Sequence, residues 1–281
     1  MIRLGENRYG KSRVRLVRVK RSGDWHELQE WTVQILLSGD FSSCFADGDN
    51  RKILPTDTMK NTVYSLARTS SAACIEDFAK ELTAFFLNRN SQVTSAEVNI
   101  SECPWDRMVC GGNAHAAAFI QSSRELLTAK VSGKRDGGIE VVSGLDNLLV
   151  LKTANSAFTG YIKDSLTTLP ETRDRLFGTA VCANWTYRSA NLSFPALRGT
   201  IRELLLDAFA GHKSESVQHT LYAMAERVLD KVAEVKDIHL TMPNKHCLLV
   251  DLSRFGQDNP NEIFVPTDEP HGYIEARVGR Q

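Results

Sequence analysis

From Trp31 to Leu37 apolar and polar residues alternate, with Trp31, Val33, Ile35 and Leu37 on one side and Thr32 and Gln34 on the other. Successive side chains of a strand point to opposite faces, so this stretch predicts a half-buried strand. The preceding "SRVRLVRV" predicts a second, and a slip in its alternation between Leu16 and Val17 leaves room for a bulge. "RSGD" between them is an acceptable hairpin turn. The period then lengthens. Met59, Val63, Leu66 and Ala67, and after them Ile75, Phe78, Ala79, Leu82 and Phe86, recur at helical spacing and predict two helices in succession. "SAEVNI" turns Ala96, Val98 and Ile100 inward as a strand, and "RELLTAKVS" predicts another after an irregular segment.

The same order then recurs. "GGIEVVSG" and "LLVLKTA" read as a strand pair, and "VCANWTYR" as a strand on Val181, Ala183, Trp185 and Tyr187. Pro195 opens a helix in its first turn, striped by Leu197, Ile201, Leu204, Leu205 and Phe209; a further helix carries Leu221, Met224, Val228 and Val232. "DIHLTM", "HCLLVDL" and "GYIEARV" close the chain as strands. Strands, two helices and strands, met twice with a seam near residue 138, predict an α+β protein of two similar halves, 1–138 and 139–281. Each half pairs an antiparallel sheet with helices on one face.

Composition narrows the function more than the fold. The 34 basic and 34 acidic residues cancel, so no global field favours nucleic acid or an anionic membrane. A local basic cluster (Arg3, Arg8, Lys11, Arg13, Arg15, Arg18, Lys20 and Arg21) has no interleaved aromatics for base stacking and reads as a solvated strand face. Six scattered cysteines suit reduced thiols in a cytosolic protein. No run reaches the length of a membrane helix, and no apolar signal core follows the charged start. Zinc patterns such as C-x-x-C and H-E-x-x-H are absent, as are G-x-G-x-x-G, Walker and G-x-S-x-G motifs, so no metal and no cofactor are expected. Cys103, Cys110 and His115 match no zinc spacing.

One stretch stands apart. "ILPTDTMKNTVYSLA" sets two hydroxyls and an acid at the mouth of a helix, where Thr56, Asp57 or Thr58 can supply the N-cap. Alternatively, the free amides there can receive an anion.

"YGKSRVRLVRV", "GDN" followed by "LPTDTMKNTVY", "NSAFTGYIKDSLTTLPETRDR", "SVQHTLYAMA" and "MPNKH" occur in the order and spacing of the urate oxidase (uricase) family, and "VGR" near the end fits as well. The chain resembles that family over nearly its whole length. The resemblance implies the tunnelling fold (T-fold), two ββααββ-like halves per subunit, assembled as a homotetramer with active sites at subunit interfaces. It implies oxidation of urate by dioxygen and water, without metal or organic cofactor, to 5-hydroxyisourate and hydrogen peroxide.

By the same resemblance Lys11, Thr56 and His246 are the catalytic trio. Lys11 eases a transient negative charge on Thr56, which alone is a poor base, and His246 extends the proton relay. Phe158 is similar to the residue that stacks on the purine. Arg175 offers a guanidinium fork to one edge of urate, and Gln218, with the Val217 amide, meets the opposite edge. The Asp57 amide receives the anion at the helix start, and Asn244 holds dioxygen and later water beside Thr56. Taken singly, Phe158 reads as core, Gln218 as a cap neighbour, Asn244 as a turn residue and His246 as one of seven histidines. The family often carries two histidines and a serine where "NAHAAAF" keeps only His115 and Phe119, which puts local packing or interface detail there in doubt. A pterin- or purine-acting relative of the same fold would need zinc ligands and an acidic anchor; a mere urate binder would not need Lys11, Thr56, Asn244 and His246. The C-terminal "VGRQ" lacks a peroxisomal signal, so the cytoplasm is expected, or the peroxisome for a eukaryotic source.

Overall fold

The structure is a computed structural model that describes residues 2–121 and 123–280. The chain falls into two compact units: Met1–Gly144 with Thr186–Pro195, and Leu145–Trp185 with Ala196–Gln281.

In the first unit, β1 (Tyr9–Ser22) and β2 (Trp25–Gly39) form a long antiparallel hairpin through the two-residue turn Gly23–Asp24, with Gly23 at φ +61°. A short helix, α1 (Ser42–Asp47), precedes α2 (Thr56–Thr69) and α3 (Ile75–Arg89). β3 (Val93–Cys103) pairs with β2 on one side and with β6 (Leu126–Lys134) on the other. Between them β4 (Asp106–Cys110) and β5 (Asn113–Ile120) make a separate two-stranded sheet. The core is the one the alternation implies: Trp31, Val33, Ile35 and Leu37 lie fully buried with Met59 and Val63 of α2 and Phe78, Leu82 and Phe86 of α3. The Trp31 and Phe78 rings stack with centroids 4.9 Å apart. Residues 186–195 also belong to this unit, where the Lys80 ammonium donates to the Ala190 carbonyl at 2.7 Å and lies over the Phe194 ring.

After β7 (Ile139–Lys152), the second unit builds around β8 (Phe177–Tyr187), followed by α4 (Phe194–Gly211) and α5 (Val217–Lys231). β9 (Val235–Thr241), β10 (Asn244–Leu249), β11 (Phe264–Gly272) and β12 (Glu275–Gly279) complete it, with β8 next to both β9 and β10. Phe177, Val181, Ala183 and Trp185 pack with Ile201 and Leu205 of α4 and Leu221, Met224 and Val228 of α5 as its buried core.

Several expectations change. The β1 irregularity lies between Lys11 and Val14, where Arg13 sits at φ +57°, and the register through Leu16 and Val17 is regular. Arg18 is not solvated: its guanidinium donates to the Ala72 carbonyl and lies 5.1 Å from the Trp31 ring centroid, which is why the apolar alternation fails there. Residues 139–152 are one strand rather than a pair: it runs on through Asn147, which takes a left-handed conformation (φ +58°) and whose amide bonds the Asp146 carboxylate. The segment expected to be irregular contains the β4–β5 hairpin, turning at Gly111 and Gly112 with positive φ; its strands are too exposed to alternate. β11 escapes periodicity for the same reason.

Candidate active site

Two groups of the expected site residues take shape, one in each unit. In the first, the Tyr9 hydroxyl donates to the Leu54 carbonyl at 3.1 Å and accepts from the Leu54 amide at 2.8 Å. Two residues beyond each partner stand Lys11 and Thr56, so this paired bond brings the start of β1 to the start of α2. Gly10 permits the approach to β2: a Cβ there would lie 1.7 Å from the Ile35 carbonyl oxygen.

The N-cap of α2 is Pro55, not Thr56, Asp57 or Thr58, and no side chain caps it. Proline has no N–H to satisfy and a fixed φ suited to a helix start. The first intrahelical bond is the Met59 amide to the Pro55 carbonyl, which leaves the Thr56, Asp57 and Thr58 amides without an intrahelical acceptor. The Asp57 carboxylate turns along the helix to Lys60 (2.5 Å) and Asn61 (3.1 Å) instead of back over those amides. Lys60 holds its carboxyl below the usual range, and the Lys11 charge adds to the effect. Thr56, the first residue of this helix start, is half-buried.

In the second unit, the chain around Phe158 is pinned twice. Phe158 and Thr172 exchange backbone bonds at 2.8 and 3.1 Å, and the Ala157 amide donates to the Ser214 carbonyl at 2.8 Å. The second contact ties this segment to the loop that opens α5. There Ser216 caps the helix by accepting from the His219 amide, leaving the Val217 and Gln218 amides with no intrahelical acceptor. Val217 is buried and Gln218 exposed.

The Arg175 guanidinium carbon lies 5.3 Å from the Phe158 ring centroid. Its Nε is buried with no hydrogen-bond partner among the described residues, and burial lowers its pKa from the ordinary value. A buried donor without an acceptor costs on the order of 1–3 kcal/mol, which a bound acceptor would recover. Asn244 pairs with Thr179 on β8 and Gly272 on β11, and His246 with Thr267, so both stand on β10 near the end of β8 that Arg175 precedes. A flat aromatic, a cation with an unmet donor and a helix start with open amides make a receptor for a planar anion.

Sequence reasoning missed Tyr9, whose role rests on a contact 45 residues away. It also missed Tyr161, which stacks on Phe158. In the altered "NAHAAAF" segment, Phe119 meets the Arg107 guanidinium at 4.9 Å and the His115 Nδ1 accepts from the Ala117 amide.

The sequence model of the family described as Uricase matches residues 7–132 and 141–275. The chain is 41% identical over 280 residues to the uricase of Arthrobacter globiformis, covering 99% of this chain and 90% of that one. It is 39% identical over 282 residues to the uricase of Dictyostelium discoideum, covering 100% and 98%. A crystal structure of the Arthrobacter globiformis uricase superposes with a TM-score of 0.95 at 40% identity, covering 100% of this chain and 96% of that one.

Proposed function

Because the chain belongs to the uricase family, with its α+β fold, we propose that it is a urate oxidase working through the residues just described. It oxidises urate with dioxygen and water to 5-hydroxyisourate and hydrogen peroxide, a step of purine degradation. Two electrons pass from the purine to dioxygen, and water supplies the new hydroxyl. The observation that carries the reading of the site is the Phe158–Arg175 pair with its unmet buried donor.

In this reading Phe158 stacks on the purine, and Arg175 grips one edge with Nε and a terminal nitrogen. Gln218 and the Val217 amide hold the other edge. The Asp57 amide and Thr56 meet the ring at the α2 start. Lys11 stabilises negative charge on Thr56 as it takes a proton, His246 extends the relay, and Asn244 holds dioxygen and then water over the ring. Deprotonation makes the purine electron-rich enough to reduce dioxygen without a metal or organic cofactor. The Lys11–Thr56 group of one subunit faces the Phe158–Arg175–Gln218 group of its neighbour in a homotetramer. The family model's two separate matches support a duplicated chain with halves 1–138 and 139–281. No described helix is long and apolar enough to cross a membrane, and six free cysteines fit a reducing cytoplasm.

The test is loss of the urate ultraviolet band with one hydrogen peroxide formed per urate, at a rate unchanged by exhaustive chelation. Urate binding without turnover would make the protein a binder, and a rate that tracks bound metal would overturn the cofactor-free chemistry.

A further inference from the structure

Phe158 has two faces, and a planar ligand can use only one that is free. Tyr161 lies parallel to the ring, with centroids 4.8 Å apart and planes inclined by 15°. The chain folds back to reach it through Gly160, whose φ is +70°. Tyr161 is itself held: its hydroxyl donates to the Leu169 carbonyl at 2.5 Å. The loop around it closes at Phe158–Thr172 and is braced by the Lys163–Glu171 ion pair (2.8 Å) and the Asp164 side chain bonded to Leu166 and Thr167.

A ring so anchored is poorly suited to swing away when a ligand arrives. We propose that Tyr161 is a positioning residue, a fixed backing plate that sets the plane of Phe158 so that its opposite face receives the purine. This rests on the reading of Phe158 as the stacking residue. Without the plate, Phe158 gains rotamer freedom that binding must remove. An aromatic pair of this kind carries enough energy to change affinity about three- to tenfold.

The experiment titrates a non-reactive xanthine analogue into wild type, Tyr161→Leu, Tyr161→Phe and Phe158→Ala, with urate kinetics on each. Tyr161→Leu should raise the analogue Kd and the urate KM by about three- to tenfold and leave kcat within about twofold. Tyr161→Phe, which keeps the flat face and loses only the bond to Leu169, should stay close to wild type. Unchanged or tighter binding in Tyr161→Leu would overturn the proposal, the tighter result marking Tyr161 as an occupant of the ligand's place. Should Tyr161→Leu fail to fold, Tyr161→Met takes its place under the same criteria. If Phe158→Ala leaves analogue binding intact, the stacking role of Phe158 falls; if it weakens binding while Tyr161→Leu does not, only the backing role falls.

Discussion

Lys11 stands where β1 meets the start of α2, and its charge reaches Asp57. Assigned to proton transfer rather than to holding the purine, it should affect rate and affinity unequally. Lys11→Met is expected to lower kcat by ~10²–10⁴-fold while a xanthine analogue binds nearly as before. Analogue affinity falling in proportion to turnover would make Lys11 a binding residue. A second residue-scale effect concerns His212, close beneath the start of α5. Its ring lies 4.3 Å from that of His219, its Nδ1 is 3.2 Å from the Thr220 hydroxyl, and the Lys152 ammonium donates to its carbonyl. Burial first, then His219 and Lys152, push its imidazole below the ordinary value of 6.5, with Glu215 opposing. The native state thus takes up this proton later than the unfolded chain as pH falls. The stability it contributes is complete above the unfolded value and lost as pH drops from there through the lowered native one. His212→Gln should lessen the fall in melting temperature between about pH 7.5 and about pH 5.5 by roughly 1–3 °C. An identical fall in both proteins would remove His212 from the acid response.

At the scale of elements, what could be foreseen depended on burial. Strands with one buried face, such as β2 and β8, and the striped helices announce themselves by period. The exposed β4, β5 and β11 do not, because nothing forces their residues to alternate. Asn147 misled in the opposite direction, since a residue typical of turns is absorbed inside a strand. The candidate site rests on whole motifs: a lone Thr-Asp pair reads as a cap, yet Pro55 holds that position and the amides stay open. Contacts between distant segments, Tyr9 with Leu54 among them, leave no local signal. The close approach of β1 to β2 beside Lys11 gives a sharp test. Gly10→Ala forces a Cβ onto the Ile35 carbonyl, so the strands must part. A loss of about 1–3 kcal/mol is expected, read from denaturant unfolding, together with lower kcat because Lys11 moves with the strand. Wild-type stability in that variant would mean the hairpin yields freely there.

For the whole molecule, the proposed sharing of each site between subunits predicts complementation. Lys11→Met and Arg175→Ala should each be nearly inactive alone. In a mixed pair across a two-fold axis, one site collects both lesions and the other neither. Random mixing on co-expression makes half the pairs mixed, so activity should return to roughly a quarter of wild type. No recovery from oligomers shown to be mixed would place both residues in one subunit's site. The return of residues 186–195 to the first unit carries a different consequence. Lys80 reaches its Ala190 acceptor and the Phe194 ring only after the chain has run through β8. A gene cut near residue 138, where the order of elements in the sequence suggests a seam, would hand those ten residues to the wrong fragment. A piece ending at Gly144 would lack part of its own first unit.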